Sequence, residues 1–338
     1  MKKKMVVLLV TAMVASSVMA CGGTEEAATT APAESGGEEV PETDASAGTD
    51  AAVDYSSLTI AWSPANLTNE LQVTLTDDLT AETQKLGCKL LTADPSSDPT
   101  TQVTQVENYI AQGVDMILMS PVDAAACGIV VTEAKEAGIP MIIVNCKLDN
   151  LDEALCYVGC DDTTAGETLM QYVVDQIGGS GTVAILRGPD GLDAQIKRTA
   201  GFDTILSANT DVTVFDSQAA DWETAKAMSI TEDWLQTTTL NAVVCENDEM
   251  AVGAVEAIKG EGLSCDDVMV VGIDGIDSAV ASIAAGDMRA TLLQDANAIA
   301  AKTVEVMCQY FEQGESTIEP EYIIPWTLID ANNVADFQ

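Results

Sequence analysis

The sequence predicts an α/β protein built on parallel sheets, and three observations carry that prediction. Its apolar runs are short, rich in β-branched residues and nearly continuous, as strands buried on both faces should be. Helical patterns with readable starts and stops lie between them. The alternation repeats at roughly 30 residues, the length of a strand–helix–strand unit. With 338 residues and 47% hydrophobic content, the chain can hold one large core or two medium ones.

The expected strands run in order. Leu58–Trp62 (LTIAW) is first, then Lys89–Ala93 (KLLTA), Asp115–Ser120 (DMILMS) and Pro140–Asn145 (PMIIVN). Further along come Gly181–Gly188 (GTVAILRG), Asp211–Asp216 (DVTVFD), Leu240–Glu246 (LNAVVCE), Val268–Asp274 (VMVVGID) and Ala290–Gln294 (ATLLQ). Among the helices, Asp98-Pro99 supplies a cap and a first-turn proline. Val103, Val106 and Ile110 then form an apolar stripe, and Gly113 ends it. A second helical pattern runs from Asp123 to Gly138, where Pro140 forbids continuation.

The segment NAVVCENDEMAVGAV, Asn241–Val255, reads as a buried strand, a polar turn at its carboxyl end, and a helix with acids in its first turn. In parallel α/β sheets ligands bind outside the carboxyl ends of strands, so the four polar residues Glu246–Glu249 stand where a site would be. Glu249 also suits the positive end of the helix dipole. Asn145, Asp161, Asp274 and Gln294 each follow an apolar run in the same way. They either converge on one crevice or act only as caps and turn residues.

Composition removes several functions. Lys plus Arg number 14 against 54 Asp plus Glu, a formal net charge of −40. Such a chain repels phosphate backbones, so no nucleic-acid partner is expected. There is no His, which excludes Ser-His-Asp and Cys-His catalysis and His-ligated metals. No metal or cofactor is expected.

The N-terminus reads as a targeting segment. Lys2–Lys4 precede a short apolar stretch that ends in small residues, the form of a secretory signal. VMAC, Val18–Cys21, resembles the bacterial lipoprotein box, which implies cleavage after residue 20 and lipidation of Cys21. Loss of residues 1–20, with three Lys and no acids, takes the formal charge from −40 to −43. Residues 21–57 are rich in Gly, Ala, Ser, Thr and Glu and carry no Lys or Arg, the composition of a flexible, self-repelling tether. The other eight Cys are even in number, which allows disulfides in an exported chain. No paired Cys spacing suits zinc, and Cys88, Cys127 and Cys308 sit in apolar or helical settings, so mostly free thiols are expected.

At this point the motifs form an ordered set. KLGCKL (Lys85–Leu90), Arg198-x-x-Gly201-Phe202, NDEMAVGA (Asn247–Ala254), VMVVGIDG (Val268–Gly275) and TLLQ (Thr291–Gln294) fall in sequence. From Leu58 to Asp330 the chain resembles the ribose-binding-protein-like family of periplasmic-type sugar-binding proteins that serve ABC importers. The resemblance implies two doubly wound parallel-sheet lobes joined by three crossovers, with a ligand cleft between them. Residues 58–160 plus 295–322 would form the first lobe, and 161–294 plus 323–330 the second. Carried over, the ligand set is Asn69, Asn145, Arg198, Trp222, Asn247, Asp274 and Gln294, extended less firmly to Asn66, Gln72 and Asp161. The chemistry is coherent: Asp accepts, Arg donates, Asn and Gln do both, as sugar hydroxyls require.

There are departures from the family pattern. The first-lobe aromatics fall at Leu71 and Gln72, and an Asp-Arg pair is Asn145-Cys146 here. A loop Ser is Cys160, and Trp62 is either a replacement ring or core. These changes leave the ligand open among pentoses, hexoses, inositols and other sugar-like molecules. The resemblance implies a monomeric, lipid-anchored capture protein, not an enzyme, that closes around a monosaccharide or polyol and docks on a permease. A sensory lipoprotein that presents the bound ligand to a membrane receptor would carry the same sequence features. A sugar-responsive repressor would need a basic DNA-binding N-terminus in place of the signal and acidic tether.

Overall fold

A computed structural model of the protein describes residues 52–338. The signal segment, Cys21 and the tether to residue 51 lie outside the described residues. The last part of the expected tether belongs to the folded body. Asp54 caps a short 3-10 turn over Tyr55–Ser57, and the Tyr55 hydroxyl donates to Glu312 at 2.7 Å. The Tyr55 ring packs against the buried core cluster.

The first lobe opens with β1 (Thr59–Ser63), α1 (Glu70–Leu86), β2 (Lys89–Thr92), α2 (Pro99–Gln112), β3 (Met116–Met119), α3 (Gly128–Glu136), β4 (Met141–Val144) and β5 (Cys156–Gly159). The second contains α4 (Asp162–Gln176), β6 (Gly181–Arg187), α5 (Asp193–Ala208), β7 (Val212–Ala219), α6 (Thr224–Thr237), β8 (Ala242–Cys245), α7 (Asp248–Gly260), β9 (Met269–Asp274), α8 (Asp277–Ala285) and β10 (Ala290–Leu293). The chain then returns as α9 (Ala296–Gln313) and β11 (Glu321–Ile323), and finishes with β12 (Thr327–Asp330).

The two six-stranded sheets have the same order, β2-β1-β3-β4-β5-β11 and β7-β6-β8-β9-β10-β12. All pairings are parallel except β10 with β12. Each lobe is therefore a doubly wound sheet whose order reverses beside its first strand, the place where such folds open a crevice. Three segments cross between lobes: Cys160–Asp161, Gln294–Asp295 and residues 324–326. Ile323, expected with the second lobe, pairs with Gly159 in the first. The crossing begins only after it.

Local sequence explains the elements. α2 has Asp98 accepting from the Thr100 and Thr101 amides, Pro99 in its first turn, and Gly113 in the left-handed conformation at its end. Val106 and Gln102 are its fully buried residues. The central strands β3, β4, β5 and β8 are buried throughout. The sheet edges differ from the expectation of two-sided burial. β2 has no fully buried residue and β7 only Val212, because each has one neighbour and one open side. β5 (CYVG) and β11 (EYI) lack the aliphatic run that announces β3 and β4. Trp62 is fully buried in the core, and its Nε1 donates to Thr76 at 2.8 Å, so it supplies no ring to a site. All eight described Cys are free thiols, seven of them buried.

Candidate functional site

A cavity of about 110 Å³ lies between the lobes at the carboxyl ends of the strands. One water needs about 10–15 Å³, so the space suits a single small molecule. Nine of the ten expected residues line it: Asn66, Asn69, Gln72, Asn145, Arg198, Trp222, Asn247, Asp274 and Gln294. The wall is completed by residues including Leu71, Pro121, Val122, Cys146, Pro189, Leu192 and Ala194.

Asp161 is not among them. Its side chain caps α4 by accepting from the Thr163 and Thr164 amides at 3.0 and 3.2 Å. Its carbonyl accepts from Trp326 Nε1 at 2.8 Å. A cap residue turns its side chain back on its own helix. The next residue, Asp162, turns inward: it is buried and accepts from Arg198 Nε at 2.8 Å.

That ion pair explains the R-x-x-G-F spacing. A Cβ on Gly201 would lie 2.4 Å from the Thr163 carbonyl oxygen, and one on Gly166 2.2 Å from that of Arg198. These two glycines let α5 lie directly on α4, which sets Arg198 beside Asp162. Arg198 also donates to the Glu246 carbonyl at 2.5 Å, and it stands 3.7 Å from Asp274. Its guanidinium lies 5.8 and 5.7 Å from the ring centres of Trp222 and Trp326. Burial works against its charge, but Asp162 and Asp274 more than offset this and hold Arg198 protonated.

The four residues after β8 have four roles. Glu246 is buried and accepts from the Gly188 amide at 2.8 Å and Thr199 Oγ at 2.5 Å, tying the loop after β6 to α5. Asn247 lines the cavity while its Oδ1 caps α7 through the Met250 amide at 3.0 Å. Asp248 accepts from Thr291 and from the Gly275 and Ile276 amides at 2.7 and 3.2 Å, fixing the turn that carries Asp274. Burial raises both Glu246 and Asp248 to about 7. Glu249 leaves its own lobe, as described below.

Backbone strain collects at this cavity. Among the described residues, six non-glycine residues have positive φ: Ser96, Ser97, Asn145, Asp221, Trp222 and Asp274. Four of them line the cavity and the other two are chain neighbours of those four. Such conformations cost about 1–3 kcal/mol each and persist where surrounding bonds over-determine them. Asp248 does so for Asp274. Tyr157 does so for Asn145, donating to its carbonyl at 2.7 Å and to that of Cys160 at 2.9 Å. Trp222 lies against Gly188, where a Cβ would fall 2.1 Å from its ring.

The polar atoms so placed have no partner in the chain. Asn145 Oδ1, Asp274 Oδ1 and both amide atoms of Gln294 are buried without a hydrogen bond. Burial pushes the Asp274 carboxyl well above the usual range, with Arg198 opposing. Buried polar groups are nearly always satisfied, yet here three residues from three strand ends bring unpartnered atoms to one cavity.

The lobes touch on both sides of the cavity. On one side Glu249 of α7 accepts from the Glu70 amide and from Asn69 Nδ2, both at 2.8 Å. Glu70 in turn accepts from the Asp277 amide at 3.0 Å and the Ser278 hydroxyl at 3.2 Å. Each lobe thus lays a carboxylate on the N-terminus of a helix of the other, α1 and α8. On the other side the Ala124 amide reaches the Gly191 carbonyl at 3.5 Å. Asn69, expected as a ligand residue, is also part of the seam. Sequence reading placed Glu246 and Asp248 at the strand end without a role and did not single out Asp162; in each case a neighbouring acid or amide is the cap, and the inward residue is adjacent to it.

Among the described residues no three metal-ligating side chains converge, and no helix is long and apolar enough to cross a membrane.

Comparison with known proteins gives a consistent result. Residues 60–316 match the model of the periplasmic binding protein domain family. A xylitol-binding protein of Mycolicibacterium smegmatis is 34% identical over 71% of this chain and 68% of its own length. The ribose import binding protein of Bacillus subtilis is 33% identical over 70% of this chain and 76% of its own. A solved ABC transporter solute-binding protein from Bacillus halodurans, with bound myo-inositol, superposes with a TM-score of 0.78 at 32% identity, covering 84% of this chain and 98% of that one.

Proposed function

Because the chain belongs to the periplasmic binding protein domain family, we propose that it captures a monosaccharide or polyol outside the cytoplasm and hands it to an ABC-importer permease. The observation that carries this reading is the set of unpartnered polar atoms on Asn145, Asp274 and Gln294, buried in a cavity between two lobes. The relatives that bind ribose, xylitol and myo-inositol support the ligand class.

Each group has a chemical task. Asp274 accepts from ligand hydroxyls and Arg198 donates to them. Asn145 and Gln294 do both, and Asn247 adds a further amide. Trp222 covers a C–H face. Charge-assisted bonds contribute about 1.5–3 kcal/mol each, and a few reach the roughly −8 kcal/mol of micromolar affinity. Only the closed state brings first-lobe Asn145 and second-lobe Asp274 to one ligand, so binding favours closure. The closed rims then form the surface a permease recognises.

We further propose that Cys21 is lipidated after cleavage and that residues 22–51 hold a monomeric binding body near the membrane. The VMAC sequence supports this. Expression with Cys21→Ser should move the protein from the membrane fraction to the soluble extracytoplasmic fraction.

The test of the binding function is a thermal-shift screen of residues 52–338 against pentoses, hexoses, inositols and linear polyols, followed by calorimetry. One class of polyol should raise the melting temperature, and Asp274→Ala should remove the effect. No response to any polyol, in protein refolded to strip carried ligand, refutes the reading. A bound polyol whose uptake survives deletion of this gene would instead point to a sensory role.

A further inference from the structure

Among the described residues, Arg198 is the only Lys or Arg that lines the cavity between the lobes, and two buried carboxylates share it. Asp162 holds it directly, accepting from Nε at 2.8 Å, and another arm of the guanidinium donates to the Glu246 carbonyl. Asp274 is left 3.7 Å from the guanidinium, beyond hydrogen-bonding distance, with its Oδ1 buried and unpartnered. The three side chains are at most 5% exposed. One positive charge set against two carboxylates leaves Asp274 at the cavity wall without a counter-ion of its own.

The surroundings do not supply one. Lys147 pairs with Glu321 at 2.8 Å and Arg187 with Asp190 at 2.5 Å, so both are held by acids away from Asp274. The neighbours of Asp274 are themselves acids. Asp248, Glu249 and Asp162 add to what burial does to its carboxyl, which is to push it well above the usual range, while Arg198 opposes. A second cavity, of about 240 Å³, adjoins the first, since Leu71, Asp274 and Gln294 line both. Its charged lining is Glu70, Asp78, Asp274, Asp277 and Asp295, and among the described residues it carries no Lys or Arg.

A buried carboxylate without a counter-ion is a costly arrangement. A ligand hydroxyl that donates to Asp274 satisfies the oxygen but leaves the charge uncompensated. An ammonium does both, through the stronger, charge-assisted kind of bond. The field of a chain with a formal charge of −40 also draws cations toward the cavity and turns anions away.

We infer that the cavity takes an aminopolyol, a sugar or cyclitol ring on which an ammonium replaces one hydroxyl and pairs with Asp274. The inference rests on the polyol reading above and names the substrate class within it. The remaining hydroxyls fall to Asn145, Gln294 and Arg198, and Asp274 becomes the residue that selects for charge.

Matched pairs test this by calorimetry on the wild-type protein at neutral pH: D-glucosamine against D-glucose, D-galactosamine against D-galactose, and inosamines against inositols of the same configuration. A parent without detectable binding is set at the limit of the assay. In at least one pair the amine should bind at least tenfold tighter, and its N-acetyl form, with the same ring and no charge, should lose that advantage. Asp274→Asn, which keeps the shape and removes the charge, should abolish the preference, with the melting temperature checked alongside. Where this variant binds neither member, the N-acetyl comparison decides alone. The inference is overturned if no amine exceeds its parent tenfold, or if the preference survives N-acetylation or Asp274→Asn; binding of the parents then leaves the polyol reading intact. Failure of every sugar and cyclitol, amines and parents alike, overturns both.

Discussion

Neutralising one carboxylate of the reciprocal seam, by Glu70→Gln or Glu249→Gln, should open the protein. Glu249 takes two hydrogen bonds at the start of α1, and Glu70 takes two at the start of α8. Gln keeps the shape and one acceptor but loses the charge. A charge-assisted bond exceeds a neutral one by roughly 1 kcal/mol, and the helix-end interaction adds about 0.3–1 kcal/mol. Against this, the two carboxylates repel each other, and their repulsion raises the Glu249 pKa after burial does. The net loss of closure per substitution is therefore about 1 kcal/mol, a five- to tenfold shift toward the open form. Because the eight described Cys are all free and seven are buried, dyes can be placed on the exposed helical sites Glu107→Cys and Asp203→Cys, one per lobe. Single-molecule energy transfer on ligand-free protein should show a larger long-distance population in either Gln variant. Ligand Kd should weaken by a similar factor wherever the open form dominates. Unchanged distance distributions in both variants would refute the claim that this seam stabilises closure.

Other substitutions probe how the site is built. Gly201→Ala puts a methyl 2.4 Å from the Thr163 carbonyl, forcing α5 off α4. It should cost about 1–3 kcal/mol in denaturant titration and weaken binding by displacing Arg198. Gly188→Ala collides with the Trp222 ring at 2.1 Å. Affinity should fall at least tenfold with a smaller change in melting temperature, and wild-type affinity would show that the ring is not a contact. Burial raises Glu246 and Asp248 to about 7, above the ordinary 4.5 and 3.8. Their contribution is complete at acid pH and declines as pH rises through 7, by at most roughly 3 kcal/mol for Glu246 and roughly 4 kcal/mol for Asp248. Melting temperature should therefore fall between pH 5.5 and pH 8, and Glu246→Gln should flatten that dependence.

Much of the fold was legible because buried parallel strands write their burial into composition: β3, β4 and β8 are apolar throughout, β9 is apolar up to Asp274, and all four were easy to place. β5 (CYVG) and β11 (EYI) were not, since neither has the aliphatic run that marks β3 and β4. The edge strands β2 and β7 read as buried although they are not, because β-branched residues suit open and covered edges alike. Within the site, residue type gave the chemistry but not the direction. In Asp161-Asp162 the sequence offers two equivalent acids, and helix geometry sends the first to the cap and the second to Arg198. In Glu246–Glu249 four polar residues look alike, yet consecutive side chains at a strand-to-helix turn point four ways. How far the amides are already engaged could not be read at all, because Asn66, Asn69 and Gln72 have the right chemistry for a sugar and use much of it on bonds within the chain.

The interleaving of the lobes also bears on how the chain matures. The sheet that starts with β1 is completed by β11, whose Tyr322 pairs with Val158, and the second sheet is completed by β12, whose Asp330 pairs with Ala290. Neither sheet has its final edge until the last few residues of the chain are present. A polypeptide emerging amino end first can therefore gather each lobe but seal neither. Long-range closures of this kind are slow to form, so the outer strand of each sheet joins late in folding.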